Sequence, residues 1–406
     1  MKSIMPYKTI SQDIIILFIS RIISSVGSFV LPFLSLLFTK ELGFTSSTAG
    51  VYITIITMCY IPGNLLGGVL ADRFNTRNVL ILSQVVSAAC LILITFTNHI
   101  YVRVFLLIIS FIIAGMIYPC IDTLVTRSTE GEDRKRAFSL MYIGFNIGYA
   151  IGPVLGGFLI SKNINYLFIG DGLTTMAAAG LVSIFISNKS AVAPKVQNVE
   201  KQNTKTFHIL SAKKILIAFI ILCAFFNFIY AQYTFTLPLS LNSTFGFTTG
   251  AKYYGLLISV NSIFVIFFTP IITKILGKMS SITNMIFSGL FFLVGFGSYY
   301  YSINIILLII STILWSVGEI LFSVNSIAYV TEKSPSTHVG RICSTFNAVS
   351  RIGMFSAPMI SGVIISYLGT SSVWIVVAIT TSICVAFTAG IKFIDRDNSA
   401  NPGLDI

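Results

Sequence analysis

The sequence predicts an all-α integral membrane protein with twelve transmembrane helices in two six-helix bundles. Three observations predict it: a composition that needs lipid as its solvent, apolar runs of spanning length, and an internal repeat. Of 406 residues, 55% are hydrophobic and 34 are Phe. Only 10% are charged, against about 25% in a soluble domain. Mean hydropathy is +0.89. A soluble globule cannot hide that much apolar surface, which excludes a soluble enzyme, a disordered chain and a disulfide-stapled secreted domain.

A helix that crosses a bilayer needs about 20 apolar residues. Apolar runs between polar breaks place helices at 13–38, 48–71, 78–97, 102–125, 137–161 and 165–187. A polar linker follows at 188–214. Six more runs cover 215–238, 251–273, 282–301, 305–331, 341–368 and 372–393. Irregular backbone cannot face lipid, so the runs are read as helices. The first is too long for a signal-peptide core and is expected to remain in the protein. Cys59, Cys90, Cys120, Cys223, Cys343 and Cys384 all fall in apolar runs and form no CxxC pair. They read as small buried hydrophobes, not as disulfides or metal ligands.

Orientation follows from Lys and Arg, which concentrate on the cytoplasmic side. With the N-terminus inside, the inner segments hold 20 of the 26 basic residues. The outer loops hold four, Lys40, Arg103, Lys162 and Lys252, and the spans hold two, Arg21 and Arg351. Both termini and the linker are therefore expected in the cytoplasm, with the chain in the cell (inner) membrane. The domains expected are an N-terminal bundle over 1–187, a linker over 188–214 and a C-terminal bundle over 215–406. The net charge of +12 is scattered between apolar runs and forms no stripe, so nucleic acid is not an expected partner.

The repeat appears when the first half is shifted by 205 residues. Val125–Thr126 lands on Val330–Thr331, Arg136 on Arg341, Pro153 on Pro358, Gly157 on Gly362 and Gly50 on Gly255. With one residue of slippage Leu31–Pro32 lands on Leu237–Pro238. An ordered series of this kind predicts parallel repeats related by an axis along the membrane normal, with a substrate site between the halves.

Two motifs carry chemistry. After the second run, "GGVLADRFNTRNVL" sets Gly68, Asp72, Arg73 and Arg77 in the order G-x-x-x-D-R-x-x-x-R. Gly68 is expected to let helices approach closely. Asp72 beside basic residues can latch one conformation through a charge-assisted contact. In the fifth run, Gly148-x-x-x-Gly152-Pro153-x-x-Gly156-Gly157 places small residues, with Gly144, on one helix face, and Pro153 bends it.

The loop resembles the signature of the major facilitator superfamily, and the glycine series resembles the antiporter motif of that family's twelve-span drug:proton exporters. The resemblance covers the whole chain. The loop departs from the family in having Asn75 where Gly is usual and Thr76 where a basic residue is usual. Asn tolerates a left-handed turn, so the loop shape is expected to survive, without the contact that the usual basic residue would make. The resemblance also implies that Asp122 joins the loop's basic residues, with Arg77 or Arg73 as its partner. In the second half Gly277 replaces the Asp, so the latch is expected on one side only.

Charges near the midplane complete the reading. At 1.5 Å per residue, Glu319, Arg351 and Arg21 lie about 18, 15 and 12 Å in from the cytoplasmic ends of their runs. Glu319 is the acid placed deepest, so it is expected to couple protons with Arg21 or Arg351 in reach, or to form a static bridge. Asp171 reads as structural or as a second proton site. By span, Gln232, Tyr230, Asn227, Asn261, Trp315 and Asn325 are expected to line a cavity. The first run lacks the E-x-x-E-R pattern of peptide transporters, and no phosphate-binding G-x-x-x-x-G-K-[ST] loop is present to use ATP.

The sequence thus predicts a secondary active transporter, not an enzyme, that exports small amphipathic molecules against protons by alternating access. Its expected partners are a small-molecule substrate, protons and the lipid bilayer. A monomer without cofactor or metal is expected. An uptake symporter for a small anionic metabolite, favoured by the surplus Arg, and a non-transporting receptor or scaffold on the same fold are the alternatives.

Overall fold

Backbone polar groups in lipid must be satisfied within the chain, and helices do so within each segment. The computed structural model describes residues 11–187, 214–277, 279–301, 304–334 and 339–400, and no β-strand occurs among them. The helices are α1 Gln12–Val26, α2 Ser46–Met58, α3 Tyr60–Arg73, α4 Thr76–Ile94, α5 Ile100–Arg127, α6 Gly131–Lys162 and α7 Asn165–Phe185. They continue with α8 Lys214–Tyr230, α9 Gln232–Leu276, α10 Ser281–Gly297, α11 Ile305–Lys333, α12 Val339–Leu368 and α13 Thr370–Ala400. Eleven helical stretches among the described residues are long and apolar enough to cross a bilayer. The linker expected at 188–214 lies outside the described residues except for Lys214.

The repeat is visible in the helix starts. Thr76 and Ser281 open α4 and α10, Ile100 and Ile305 open α5 and α11, and Asn165 and Thr370 open α7 and α13. Each pair is separated by 205 residues.

The observed helices differ from the expected runs in three places. The first ends early: α1 stops at Val26, Gly27 is its C-cap, and tighter and wider helical turns carry the chain from Leu31 through Pro32 to Glu41. The second is divided between Met58 and Tyr60, because Pro62 has no N–H to give the Met58 carbonyl. The loop expected at 239–250 is helical. α9 continues through it and breaks at Gly246, whose φ of 76° and ψ of 169° suit glycine alone.

The described residues fall into two compact units. One lies within Met1–Gly43, Ile55–Glu200 and Phe247–Ser262; the other lies within Phe44–Thr54, Lys201–Gly246 and Ile263–Ile406. The first unit buries Ile14 and Leu17 of α1 against Leu80, Cys120, Leu124 and Val182. The second is built round aromatic rings, with Phe292, Trp315 and Trp374 buried and Phe296 stacked on both Trp315 and Trp374. All six cysteines are free thiols.

Each unit contains one glycine contact that the repeat relates to the other. In the first, a Cβ on Gly255 of α9 would collide with the Pro153 carbonyl of α6, and one on Gly157 would lie 2.7 Å from the Ala251 oxygen. In the second, a Cβ on Gly50 of α2 would collide with the Pro358 carbonyl of α12, and one on Gly362 would collide with the Ser46 oxygen. Hydrogen bonds from Thr54 Oγ to the Phe355 carbonyl (3.0 Å) and from the Ser47 N–H to Ser366 Oγ (2.9 Å) reinforce the second contact.

Candidate functional site

The latch loop is built where α3 ends and α4 begins. Asn75 does not take a left-handed turn. Its φ of −64° and ψ of 109° are extended, and its side chain caps α4 by accepting the Asn78 N–H. The expectation for Asn75 is therefore corrected: it works as an N-cap. Thr76, fully buried, donates to the Ala71 carbonyl at 2.9 Å. It also accepts from Arg127 Nη1 at 2.6 Å, a contact at the position where the family usually has a basic residue. Arg127 Nη2 reaches the Ala71 carbonyl at 3.2 Å and Asp72 Oδ1 at 3.9 Å. Arg127 at the end of α5, which sequence reasoning passed over, is thus the cation of this loop.

The other loop residues are placed differently from expectation. Arg77 donates to the Ser183 carbonyl and to Asn78 Oδ1 (3.2 Å). Arg73 is exposed. Gly68 has open space around it. The close helix approach belongs to Gly63 and Gly67, whose added Cβ atoms would run into the α5 backbone at Ile112 and Met116. Asp122 has Arg21 as its charged neighbour, in place of Arg77 or Arg73.

The second half carries its own ties at the matching ends, although Gly277 stands where the Asp would be. Ser281 donates to Glu332 Oε1 at 2.9 Å, and Asn284 Nδ2 to the Leu276 carbonyl at 3.1 Å. Asp395 accepts from Tyr329 at 2.7 Å and pairs with Lys333 Nζ at 3.0 Å. The 205-residue shift that maps Thr76 to Ser281 was the signal that could have found these residues.

On α6 the glycine face meets α1 directly. A Cβ on Gly148 would collide with Ser25, and one on Gly152 would lie 2.6 Å from the Val26 carbonyl. One on Gly156 would lie 2.7 Å from the Phe33 ring. Gly157 points instead at α9. The series therefore serves two neighbours, and Pro153 presents its carbonyl to Gly255.

The membrane charges separate into distinct environments. Arg21 lies with its guanidinium carbon 3.9 Å from the Tyr118 ring centroid and 5.2 Å from that of Phe145. Asp171 accepts the Val30 N–H at 3.2 Å and also bonds the Phe29 backbone. These groups lie just past the end of α1, so the carboxylate caps the broken first span. Glu319 Oε1 accepts from Tyr230 Oη at 2.8 Å. Tyr230 packs on Tyr233 with ring centroids 4.8 Å apart, and Tyr233 stacks on Trp315 at 5.7 Å. Glu319 thus has a phenol as a partner on its own unit. Arg351 is exposed and makes no ion pair among the described residues.

Several expected cavity residues are packed. Trp315 is fully buried and donates its ring N–H to Tyr299 at 2.9 Å. Gln232 is fully buried, donates to the Phe228 carbonyl, and accepts from Thr236 (2.6 Å) and Ser361 (2.9 Å). Asn325 donates to the Leu321 carbonyl and accepts from Asn284. Asn261 is buried. Asn227 is half-buried and donates to the Cys223 carbonyl at 2.8 Å. Residue type and span placed these side chains on a cavity, but the helix register turns most of them into the core.

Helices of this length and composition, repeated at 205 residues, define a polytopic membrane protein. The chain belongs to the Major Facilitator Superfamily, whose profile it matches over residues 15–355 and 285–404. It is a transporter of that family, not an enzyme. It is 22% identical over 379 residues to the uncharacterized MFS-type transporter YttB of Bacillus subtilis (strain 168), covering 92% of this chain and 93% of that protein. It is 22% identical over 232 residues to the quinolone resistance protein NorA of Staphylococcus aureus (strain MRSA252), covering 55% of this chain and 59% of that one. The crystal structure of an auto-inhibited POT family peptide transporter shares the fold, with a TM-score of 0.76 at 14% identity, over 95% of this chain and 97% of that one.

Proposed function

We propose that the protein is a proton-driven exporter of small amphipathic molecules, working by alternating access. The observation that carries this reading is the Gly148–Gly157 face of α6, which packs backbone to backbone on α1 and α9. Such contacts suit helices that must close tightly and part again. The likeness to a quinolone resistance protein supports export. In this reading the chain forms twelve spans in two bundles, 1–187 and 215–406, joined by a cytoplasmic linker, with both termini in the cytoplasm. The Lys214–Leu276 stretch of 63 residues supplies two of the spans. As one straight helix 63 residues would reach about 95 Å, against a hydrocarbon core of about 30 Å, and the chain breaks at Gly246 between the two.

Each charged cluster then has a task. Asp72, Thr76 and Arg127 latch the cytoplasmic end. Glu319, poised on Tyr230, takes up and releases the proton. Asp171 holds the broken first span in shape. Flux direction in vesicles tests the reading. With norfloxacin as the probe and an imposed pH gradient, everted vesicles containing the protein should accumulate the drug in exchange for protons. Accumulation by right-side-out vesicles, with protons moving the same way, would instead make the protein an uptake symporter.

A further inference from the structure

Arg21 differs from the other described arginines that are not exposed. Arg103 donates to the Thr97 carbonyl at 2.7 Å and pairs with Glu41 at 3.6 Å. Arg127 has Thr76, the Ala71 carbonyl and Asp72. Arg77 has the Ser183 carbonyl and Asn78. Arg21 makes no hydrogen bond and no ion pair among the described residues, and its Nε is buried without a partner. Asp122 acts on it electrostatically but makes no ion-pair contact.

What holds Arg21 is aromatic. The guanidinium lies over Tyr118, with Phe145 on a further side. Tyr118 is braced edge-on by Tyr60 at 6.0 Å, and Phe145 by Tyr149 at 4.8 Å. All four rings are half-buried. A guanidinium over a ring is held by attraction to the ring face, which uses none of its N–H donors. A planar fork of donors in this arrangement matches a carboxylate, which accepts two parallel hydrogen bonds. A charged donor set left unmatched inside a membrane span is costly.

We propose that Arg21 binds the carboxylate of a singly charged, ring-bearing substrate whose apolar body packs on the Tyr60–Tyr118–Phe145–Tyr149 collar. The inference rests on the exporter reading for its biological sense, and it narrows the amphipathic cargo to organic monoanions and zwitterions. One guanidinium supplies one positive charge and one two-donor fork, so a phosphate monoester dianion fits less well than a single carboxylate.

The test uses purified full-length protein in detergent, with no gradient, and compares 1-naphthoate with its neutral isostere 1-naphthamide by equilibrium dialysis. The wild-type protein should bind naphthoate at least about tenfold more tightly. Arg21→Gln should abolish that preference, Arg21→Lys should keep part of it, and Tyr118→Leu should weaken it. Equal affinities in the wild type, no naphthoate binding by folded wild-type protein, or a preference that survives Arg21→Gln would overturn the proposal. If Arg21→Gln is not monodisperse, the wild-type comparison and Tyr118→Leu decide. Because binding is read without a gradient, a failure of the exporter reading would show in vesicle flux and leave this preference intact.

Discussion

Thr76 accepts a hydrogen bond from Arg127 at 2.6 Å, and 205 residues further on Ser281 donates one to Glu332 at 2.9 Å. The pairs occupy equivalent places, because 127 and 332 are also 205 apart. Their polarity is reversed: the first half uses a cation to hold its helix ends and the second an anion. The helix-end carbonyls are satisfied in parallel, Ala71 by Arg127 and Leu276 by Asn284. These helix-end ties are thus duplicated in place while their charge is not.

Thr76→Val keeps shape but removes both the acceptor for Arg127 and the donor to Ala71. A hydrogen bond to a charged group contributes about 1.5–3 kcal/mol, so the variant should melt several degrees below the wild type, with Thr76→Ser close to it. Thermal unfolding in detergent measures this. A Thr76→Val protein as stable as wild type would show that Arg127 finds another partner at no cost.

Gly148 and Gly180 form a controlled pair. A Cβ at Gly148 meets Ser25 and the Val26 backbone, whereas Gly180 of α7 has nothing within 4 Å. Gly148→Ala should destabilise by about 1–3 kcal/mol through overpacking and impair transport. Gly180→Ala should be silent or should stabilise by at most about 1 kcal/mol through helix propensity. Equal effects of the two would detach the glycine face of α6 from close packing.

Much of this architecture is legible in the sequence, because apolar length and the 205-residue shift are properties of the chain itself. The interruptions were less legible. Pro62 marks the α2–α3 break, but nothing local announces that α1 stops at Val26. That end depends on Asp171, a carboxylate 141 residues away, which accepts the Val30 N–H. Site residues divide the same way. Asp72 is visible through its motif, whereas Arg127 lies 51 residues beyond Thr76 and carries no pattern of its own. Gly68 and Gly67 differ by one register step, about 100° round a helix, and only Gly67 faces α5. Trp315 and Gln232 were assigned to a cavity by residue type, and their polar groups are instead satisfied inside the core.

Asp171 can be tested as a cap. Asn at this position retains an oxygen that accepts the Val30 N–H but cannot exchange a proton. Asp171→Asn should therefore transport nearly as well as the wild type, while Asp171→Leu should lose folded protein. Purification yield and vesicle transport distinguish them. Loss of gradient-driven transport in a stably folded Asp171→Asn protein would make this residue a proton site.

Gln232→Leu leaves Ser361 and Thr236 without their shared acceptor in the core, a loss of about 1–3 kcal/mol. Its melting temperature should fall while substrate affinity in the surviving folded fraction stays unchanged. Affinity measured by equilibrium dialysis beside thermal unfolding checks both. A change in affinity without a change in stability would return Gln232 to the substrate path.

Proton coupling through Glu319 is the central claim, and one variant tests it most directly. Gln at 319 keeps an oxygen that can accept the Tyr230 hydroxyl, so the local structure should hold, but the proton exchange is gone. In proteoliposomes given an imposed pH gradient, Glu319→Gln should fail to concentrate norfloxacin, retain exchange of the drug down its own gradient, and melt close to wild type. A Glu319→Gln protein that still concentrates the drug at the wild-type rate would contradict the account.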